Sequence, residues 1–203
     1  MIFINLNMII IFITCLVFFY QVLFNSELIY LGAIIGSATF SEPWRLITHM
    51  FLHSDFNHLF FNMFALFFFG GLLERRIGSR NFAIVYFLGG LIAAIGGAFV
   101  YNLAIGASAA VMAVIGATII FFPNKEVLLF FFPFRLWQVG FIYVAFDLIG
   151  AFGVNNVANF AHLLGFFYGI AFGYFYLKYV GVVHKKIEKE FEVMEYSEYK
   201  KKH

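Results

Sequence analysis

Apolar runs long enough to cross a bilayer recur along this chain, at about residues 4–24, 58–74, 81–102, 107–122, 136–153 and 158–180. A hydrocarbon core of about 30 Å takes about 20 helical residues. A backbone surrounded by lipid has to satisfy its own hydrogen bonds, so such runs fold as helices packed side by side. The expected fold is therefore all-α, a polytopic membrane protein. Six transmembrane helices should occupy residues 1–181, with a charged tail over residues 182–203. Composition points the same way: 63% of the 203 residues are hydrophobic and 12% charged, more apolar surface than a soluble domain of this length can bury. The fifth run is the least regular, because Pro133, Arg135 and Asp147 interrupt or border it. The first lacks a basic leader and a small-residue cleavage site, so it reads as a span and not as a cleaved signal. The single cysteine, Cys15, excludes an intrachain disulfide and any multi-cysteine metal site.

The connections carry the topology. Residues 25–57 are too polar to span and too apolar to float free, so they should lie in the membrane interface. Charged turns are expected at 74–81 and 123–127, and the tail from about residue 182 mixes charges of both signs in the manner of a solvated helix. Six spans put both termini on one side, together with every Lys and Arg of the 13 except Arg45. Such a bias predicts cytoplasmic termini, in a cell membrane, with the Arg45 loop outside. The formal charge of +2 is too small to suggest a nucleic-acid partner; the lipid bilayer is the implied surroundings.

With that orientation the second, fourth and sixth helices all run inward from the outer face. His58 and Asn62 open the second, Ser108 opens the fourth, about one turn in, and His162 lies about one turn into the sixth. His58 and Asn62 share a helical face. His162 continues a stripe of Gly165, Gly169 and Gly173, which lets the sixth helix press on a partner. The natural partner is the fourth helix, Gly106–Ile120, with Ala109, Ala110, Ala113, Gly116 and Ala117. Taken alone, Ser108 has the bland role of bonding back to a carbonyl one turn earlier, and His162 that of a structural hydrogen bond. Together they make a Ser–His pair, nucleophile and general base, near amides left free at a helix start. His58 and Asn62 are placed either to donate to an oxyanion beside the Ser108 amide or to line the interfacial loop. Asp147 ends the fifth helix near the outer surface and could orient an imidazole, but it reads rather as a carboxylate snorkelling to that surface, which leaves a dyad. His49, His53 and His58 match no zinc spacing, so no metal is expected; the first two read as loop anchors.

These residues resemble a family, the rhomboid intramembrane serine proteases, over roughly residues 43–180. The resemblance is carried by Trp44-Arg45, by His58 and Asn62 with Gly70-Gly71 and Glu74-Arg75-Arg76-Ile77-Gly78 following, by Gly106-Ala107-Ser108, and by Ala161-His162-Leu163-Leu164-Gly165 with Gly169. It implies a six-helix fold around a water-filled cavity open to the outer side. There Ser108 would attack peptide bonds in the transmembrane segments of other membrane proteins, with His162 as base. The Ser108 amide, His58 and Asn62 would form the oxyanion hole, and no cofactor is implied. Two positions depart from the pattern: Ala109 stands where the family usually has glycine, and Met112 where bacterial members often stack a tyrosine on the histidine. The alternative function is a catalytically weak or inactive rhomboid-like protein that binds membrane helices. A small transporter would predict broken helices in paired halves, and no such internal symmetry is evident.

Overall fold

The computed structural model describes residues 5–36, 38–129, 132–151 and 158–202. Helix α1 (Leu6–Leu23) is the first apolar run. The interfacial stretch follows as three short helices, α2 (Leu28–Gly32), α3 (Ala38–Ser41) and α4 (Arg45–Thr48), and a 3-10 turn at His49–Phe51. Helix α5 (Phe56–Ala65) passes through a π-helical turn (Leu66–Gly70) into α6 (Gly71–Ala98). Then come α7 (Ser108–Phe121), strands β1 (Glu126–Leu129) and β2 (Phe132–Arg135), α8 (Leu136–Ala151) and α9 (Asn159–Lys202). Among the described residues three helices are long and apolar enough to cross a membrane, Leu6–Leu23, Phe56–Ala98 and Asn159–Val180, with Ser108–Phe121 and Leu136–Gly150 as shorter apolar helices. The chain is an integral membrane protein built mostly from helix.

The Phe56–Ala98 stretch is not one 43-residue rod. It breaks at Gly78, whose φ of 78° and ψ of 159° lie outside the helical region and in space that residues with a Cβ rarely enter. The break falls inside the charged turn read at 74–81. Glu74, only 4% exposed, fastens α1 to it: its carboxylate accepts from the Leu6 and Asn7 backbone N–H groups at 2.8 and 3.0 Å, and from the Ser79 hydroxyl. A carboxylate on the free N–H groups of a helix start is the favourable sign for the helix dipole.

One element differs from the sequence reading. After the turn that follows α7, Glu126–Leu129 and Phe132–Arg135 pair antiparallel, Glu126 with Arg135 and Leu129 with Phe132. The run Glu126-Val-Leu-Leu has the branched and apolar content of a strand, and Pro133 is tolerated because a two-stranded sheet is all edge. The last helix runs on past its apolar part, which ends near Val180, to Lys202.

The core is organised around α7. Every residue from Ala109 to Ile119 is buried, as expected of a helix that is apolar on all sides. Its most extensive partner is α9. A Cβ placed on Gly165 would lie 2.1 Å from the Ala109 carbonyl oxygen, and one on Gly169 2.0 Å from that of Ala113. The glycine stripe of the last helix therefore lies directly on the backbone of α7, as its spacing predicts.

The interfacial stretch is knitted around one buried cation. Arg45, 6% exposed, donates from Nη1 to the Tyr30 and Ala33 carbonyls at 2.6 and 2.9 Å and from Nε to the Glu42 carboxylate at 2.7 Å. The Trp44 indole N–H donates to the Leu31 carbonyl. This unit docks on the segment leading into α7: Ile34 and Ala104 exchange both backbone hydrogen bonds, and the Gly106 N–H donates to the His49 carbonyl at 2.9 Å.

Candidate active site

Ser108 is the first residue of α7, one turn earlier than the sequence suggested. The first backbone bond of that helix runs from the Val111 N–H to the Ala107 carbonyl. The amides of Ser108, Ala109 and Ala110 consequently lack intrahelical acceptors. The approach to the serine needs Gly106, which has a φ of 118° and faces the His58 ring so closely that a Cβ would lie 2.7 Å from its Cε1 and Nε2 atoms.

His162 stands on the first turn of α9, its N–H donating to the Ala158 carbonyl at 3.1 Å. Tyr101, beyond the end of α6, helps hold that turn by accepting from the Phe160 N–H at 2.9 Å. The close packing of α9 on α7 brings His162 Nε2 to 2.7 Å from Ser108 Oγ, across 54 residues of sequence. The expected pair is thus assembled, with its nitrogen and hydroxyl at hydrogen-bonding distance.

The reading of Asp147 as a snorkelling carboxylate is corrected. Its side chain turns inward and Oδ1 lies 3.0 Å from His162 Nδ1; the residue is only 7% exposed. The signal was present in the sequence: an ionisable side chain inside an apolar helix faces a cavity or a partner by default. Both ring nitrogens of His162 are therefore engaged. Nδ1 faces the Asp147 carboxylate, and Nε2 faces the serine hydroxyl.

His58 and Asn62 line the same cavity as Ser108, Asp147 and His162, a space of about 1140 Å³. Asp55 caps α5 by accepting from the His58 backbone N–H at 3.0 Å. The His58 ring lies beside Ser54, whose N–H and Oγ are 3.5 and 3.1 Å from Nδ1, and it turns its Nε2 edge toward Gly106. Asn62, 7% exposed, spends one amide hydrogen on the His58 carbonyl at 2.8 Å. The Ala109 methyl is taken up in a small cluster of alanines with Ala93 and Ala161. Met112 is buried in the main core and also lines the cavity.

Behind the site, His49 and His53 act as the loop anchors the sequence suggested. His49 Nδ1 lies 2.9 Å from the Arg45 carbonyl, and the His53 Nε2 accepts from the Ala107 N–H at 3.4 Å. The His53 carbonyl accepts from the buried Gln21 amide at 2.7 Å, tying α1 to the same loop. Burial pushes the His49 pKa down to about 4 and, with the neighbouring His58 charge adding to burial, that of His53 down to about 3. Both rings are neutral anchors at physiological pH.

A family model, the Rhomboid domain, matches residues 41–179. The rhomboid protease GlpG of Haemophilus influenzae is 32% identical over 137 residues, 66% of this chain and 70% of that protein. The rhomboid protease GluP of Bacillus subtilis is 32% identical over 128 residues, 61% of this chain and 24% of that protein. Inactive RHOMBOID-like protein 8 of Arabidopsis thaliana is 38% identical over 78 residues, 37% of this chain and 22% of that protein. The chain spans 62%, 24% and 45% of the length of three curated relatives it matches. The matched region contains every element of the cavity, from the Arg45 loop to the glycine stripe of α9, and on that match the chain belongs to the rhomboid family.

Proposed function

We propose that this protein is an intramembrane serine endopeptidase that cleaves transmembrane segments of other membrane proteins through Ser108 and His162. The observation that carries the reading is the 2.7 Å contact between Ser108 Oγ and His162 Nε2, on a cavity wall beside amides without helical partners. As Oγ attacks the scissile carbonyl carbon, its proton passes to Nε2. The negative charge moves to the carbonyl oxygen, where the first amides of α7, the His58 Nε2–H and the second amide hydrogen of Asn62 are available as donors. His162 returns the proton to the leaving amine, giving an acyl-enzyme. A cavity water, deprotonated by the same nitrogen, then releases the acyl group and restores Ser108. Every step uses only groups of this chain and water.

Six helical segments cross the membrane in this proposal: α1, the two arms on either side of Gly78, α7, α8 and the apolar part of α9. The distribution of Lys and Arg supports cytoplasmic termini and a site that opens outward. The length of α7 supports a site below the surface. Its 14 residues rise about 21 Å, so a helix seated at the inner boundary of a core about 30 Å thick begins about 9 Å beneath the outer one. A substrate helix has to unwind to present a carbonyl there, which is tolerated where the backbone lines a wet cavity.

The relative named inactive makes a helix-binding, non-catalytic role the second reading; against it, this chain keeps both the serine and the histidine in contact. Purified wild type, Ser108→Ala and His162→Ala are to be incubated in liposomes with a single-span substrate and the products mapped by mass spectrometry. Cleavage in or beside the span by wild type alone is expected. Equal cleavage by Ser108→Ala refutes the mechanism, and silence of all three toward substrate and a fluorophosphonate probe favours the binder.

A further inference from the structure

We infer that Asp147 is a positioning residue that completes a Ser108–His162–Asp147 relay, fixing the tautomer and plane of the imidazole and stabilising it once it takes the serine proton. For its catalytic consequence the inference rests on the protease reading above.

Geometry comes first. Oδ1 of Asp147 lies 3.0 Å from Nδ1, and Ser108 Oγ lies 2.7 Å from Nε2. A neutral imidazole has one N–H and one lone pair. A carboxylate only accepts, so the proton belongs on Nδ1 and the lone pair on Nε2, facing the serine. The opposite tautomer would turn an N–H on the serine and a lone pair on the carboxylate, and could not serve as a base. Two in-plane hydrogen bonds at opposite corners of the ring also fix its rotation, which no single contact does.

Burial of the carboxylate carries a cost. Asp147 belongs to an otherwise apolar helix, and its side chain is 9% exposed beside an imidazole 15% exposed. A carboxylate held at such a place needs a partner, and His162 is the one it turns to. The remaining groups around the ring do not duplicate this role. His58 on α5 and Tyr143 on α8 line the same cavity, and His49 lines the far side of the ring. From α7 the facing group is Ser108, and α6 presents Ala93, Ala94 and Gly97. Among the described residues the other carboxylate on the cavity wall is Asp55, which is engaged at the start of α5 by the Ser54 hydroxyl and the His58 N–H. Asp147 is the negative charge that meets the imidazolium formed when Ser108 attacks.

A carboxylate that merely clasped α8 to α9 would make the same contact, so the test has to separate the two roles. Wild type, Asp147→Asn, Asp147→Ala and Asp147→Glu are to be compared as full chains on a single-span substrate in liposomes, for kcat, KM, thermal stability and the pH profile of kcat/KM. Asn keeps the shape yet can donate to Nδ1, which favours the wrong tautomer; in a soluble serine protease the same change costs about 10⁴-fold in kcat. Here Asp147→Asn should lower kcat by about 10²- to 10⁴-fold with KM changed less than about 3-fold. Its pH profile of kcat/KM should no longer superpose on that of wild type, because the group facing Nδ1 has changed. Glu should recover part of the loss. The ¹⁵N-histidine NMR spectrum should show His162 protonated on Nδ1 in wild type and redistributed toward Nε2–H in Asp147→Asn. Wild-type kcat and pH profile in Asp147→Asn, or an unchanged tautomer, overturns the inference. If wild type neither cleaves nor takes a fluorophosphonate, the protease reading has failed on its own, and the tautomer measurement still decides the Asp147 relay.

Discussion

Replacing Gly165 by alanine tests how the helix packing sets the chemistry. The added Cβ would lie 2.1 Å from the Ala109 carbonyl oxygen and 3.0 Å from its carbon. Both atoms are backbone of the first turn of α7, one residue past Ser108, and cannot swing aside. Close-packed interiors relieve such a clash by separation, so α9 has to retreat from α7 by about 1 Å to restore an ordinary contact of about 3.2–3.5 Å. Ser108 and His162 ride on these two helices beside the clash. Their 2.7 Å bond would lengthen toward about 3.7 Å, beyond hydrogen-bonding distance. A misplacement of 1 Å in a reacting pair costs about 100-fold in rate, or about 2.7 kcal/mol of transition-state stabilisation. The assay is kcat/KM on a single-span substrate in liposomes, with thermal unfolding measured alongside. Gly173→Ala is the control within the stripe: its Cβ would lie 2.9 Å from Ile120 Cβ, a milder clash than at Gly165 and well below the reacting pair, so its loss should stay within about 5-fold. Gly71→Ala, where the nearest atom is Asn7 Nδ2 at 3.9 Å, should behave as wild type. A folded Gly165→Ala protein with the wild-type kcat/KM would refute the reasoning.

Three further perturbations separate structure from chemistry. Gly106→Ala sets a Cβ in strained space at φ 118° and within 2.7 Å of the His58 ring; turnover should fall about 10- to 100-fold at a cost of about 1–3 kcal/mol in stability, and an unaltered turnover would remove His58 from the site. Glu74→Ala takes the acceptor from the Leu6 and Asn7 N–H groups; at about 1.5–3 kcal/mol for a hydrogen bond to a charge, the unfolding temperature should drop by about 5–10 °C with kcat largely retained. Acid should destabilise the fold through His49 and His53, held down to about 4 and about 3. Unfolded, each ring binds a proton near pH 6.5, whereas the folded one does not, so the unfolded state holds more protons and stability is lost as pH falls from about 6.5 toward 4. At pH 5 that is about 2 kcal/mol per ring, and an unfolding temperature equal at pH 7 and pH 5 would contradict it.

Much of the pairing was legible because membrane topology converts sequence position into depth. Once the charge bias fixes which way each run points, Ser108 and His162 fall at matching depth despite lying 54 residues apart. The glycines of α9 then say which helix is pressed against which, since only a bare Cα tolerates the Ala109 and Ala113 carbonyls at that range. The interfacial stretch was legible as a place but not as a structure. Its four short turns are held by side-chain bonds to carbonyls, chiefly from Arg45 and Thr48, and such bonds leave no periodicity to read. The pairing of β1 with β2 was missed for the opposite reason: a short apolar run between two apolar helices looks the same whether it is strand or helix.

Asp147 shows where periodicity stops being informative. A half-buried helix declares its rotation by its apolar stripe. Helix α8, Leu136–Ala151, is apolar nearly all round and has no stripe to declare. Its rotation about its own axis is set by packing against α7 and α9, so from sequence alone the carboxylate faces lipid, water or the cavity with equal justice. Energy breaks the tie. A carboxylate toward lipid is costly, one near the outer surface costs little, and one on an imidazole gains a charge-assisted hydrogen bond of about 1.5–3 kcal/mol. Choosing between the last two requires knowing that His162, 15 residues on, returns to the same depth on the neighbouring helix. A fifth helix runs opposite to the fourth and sixth, so its C-terminal end lies level with their N-terminal ends, and Asp147, near the end of α8, falls at the level of the imidazole.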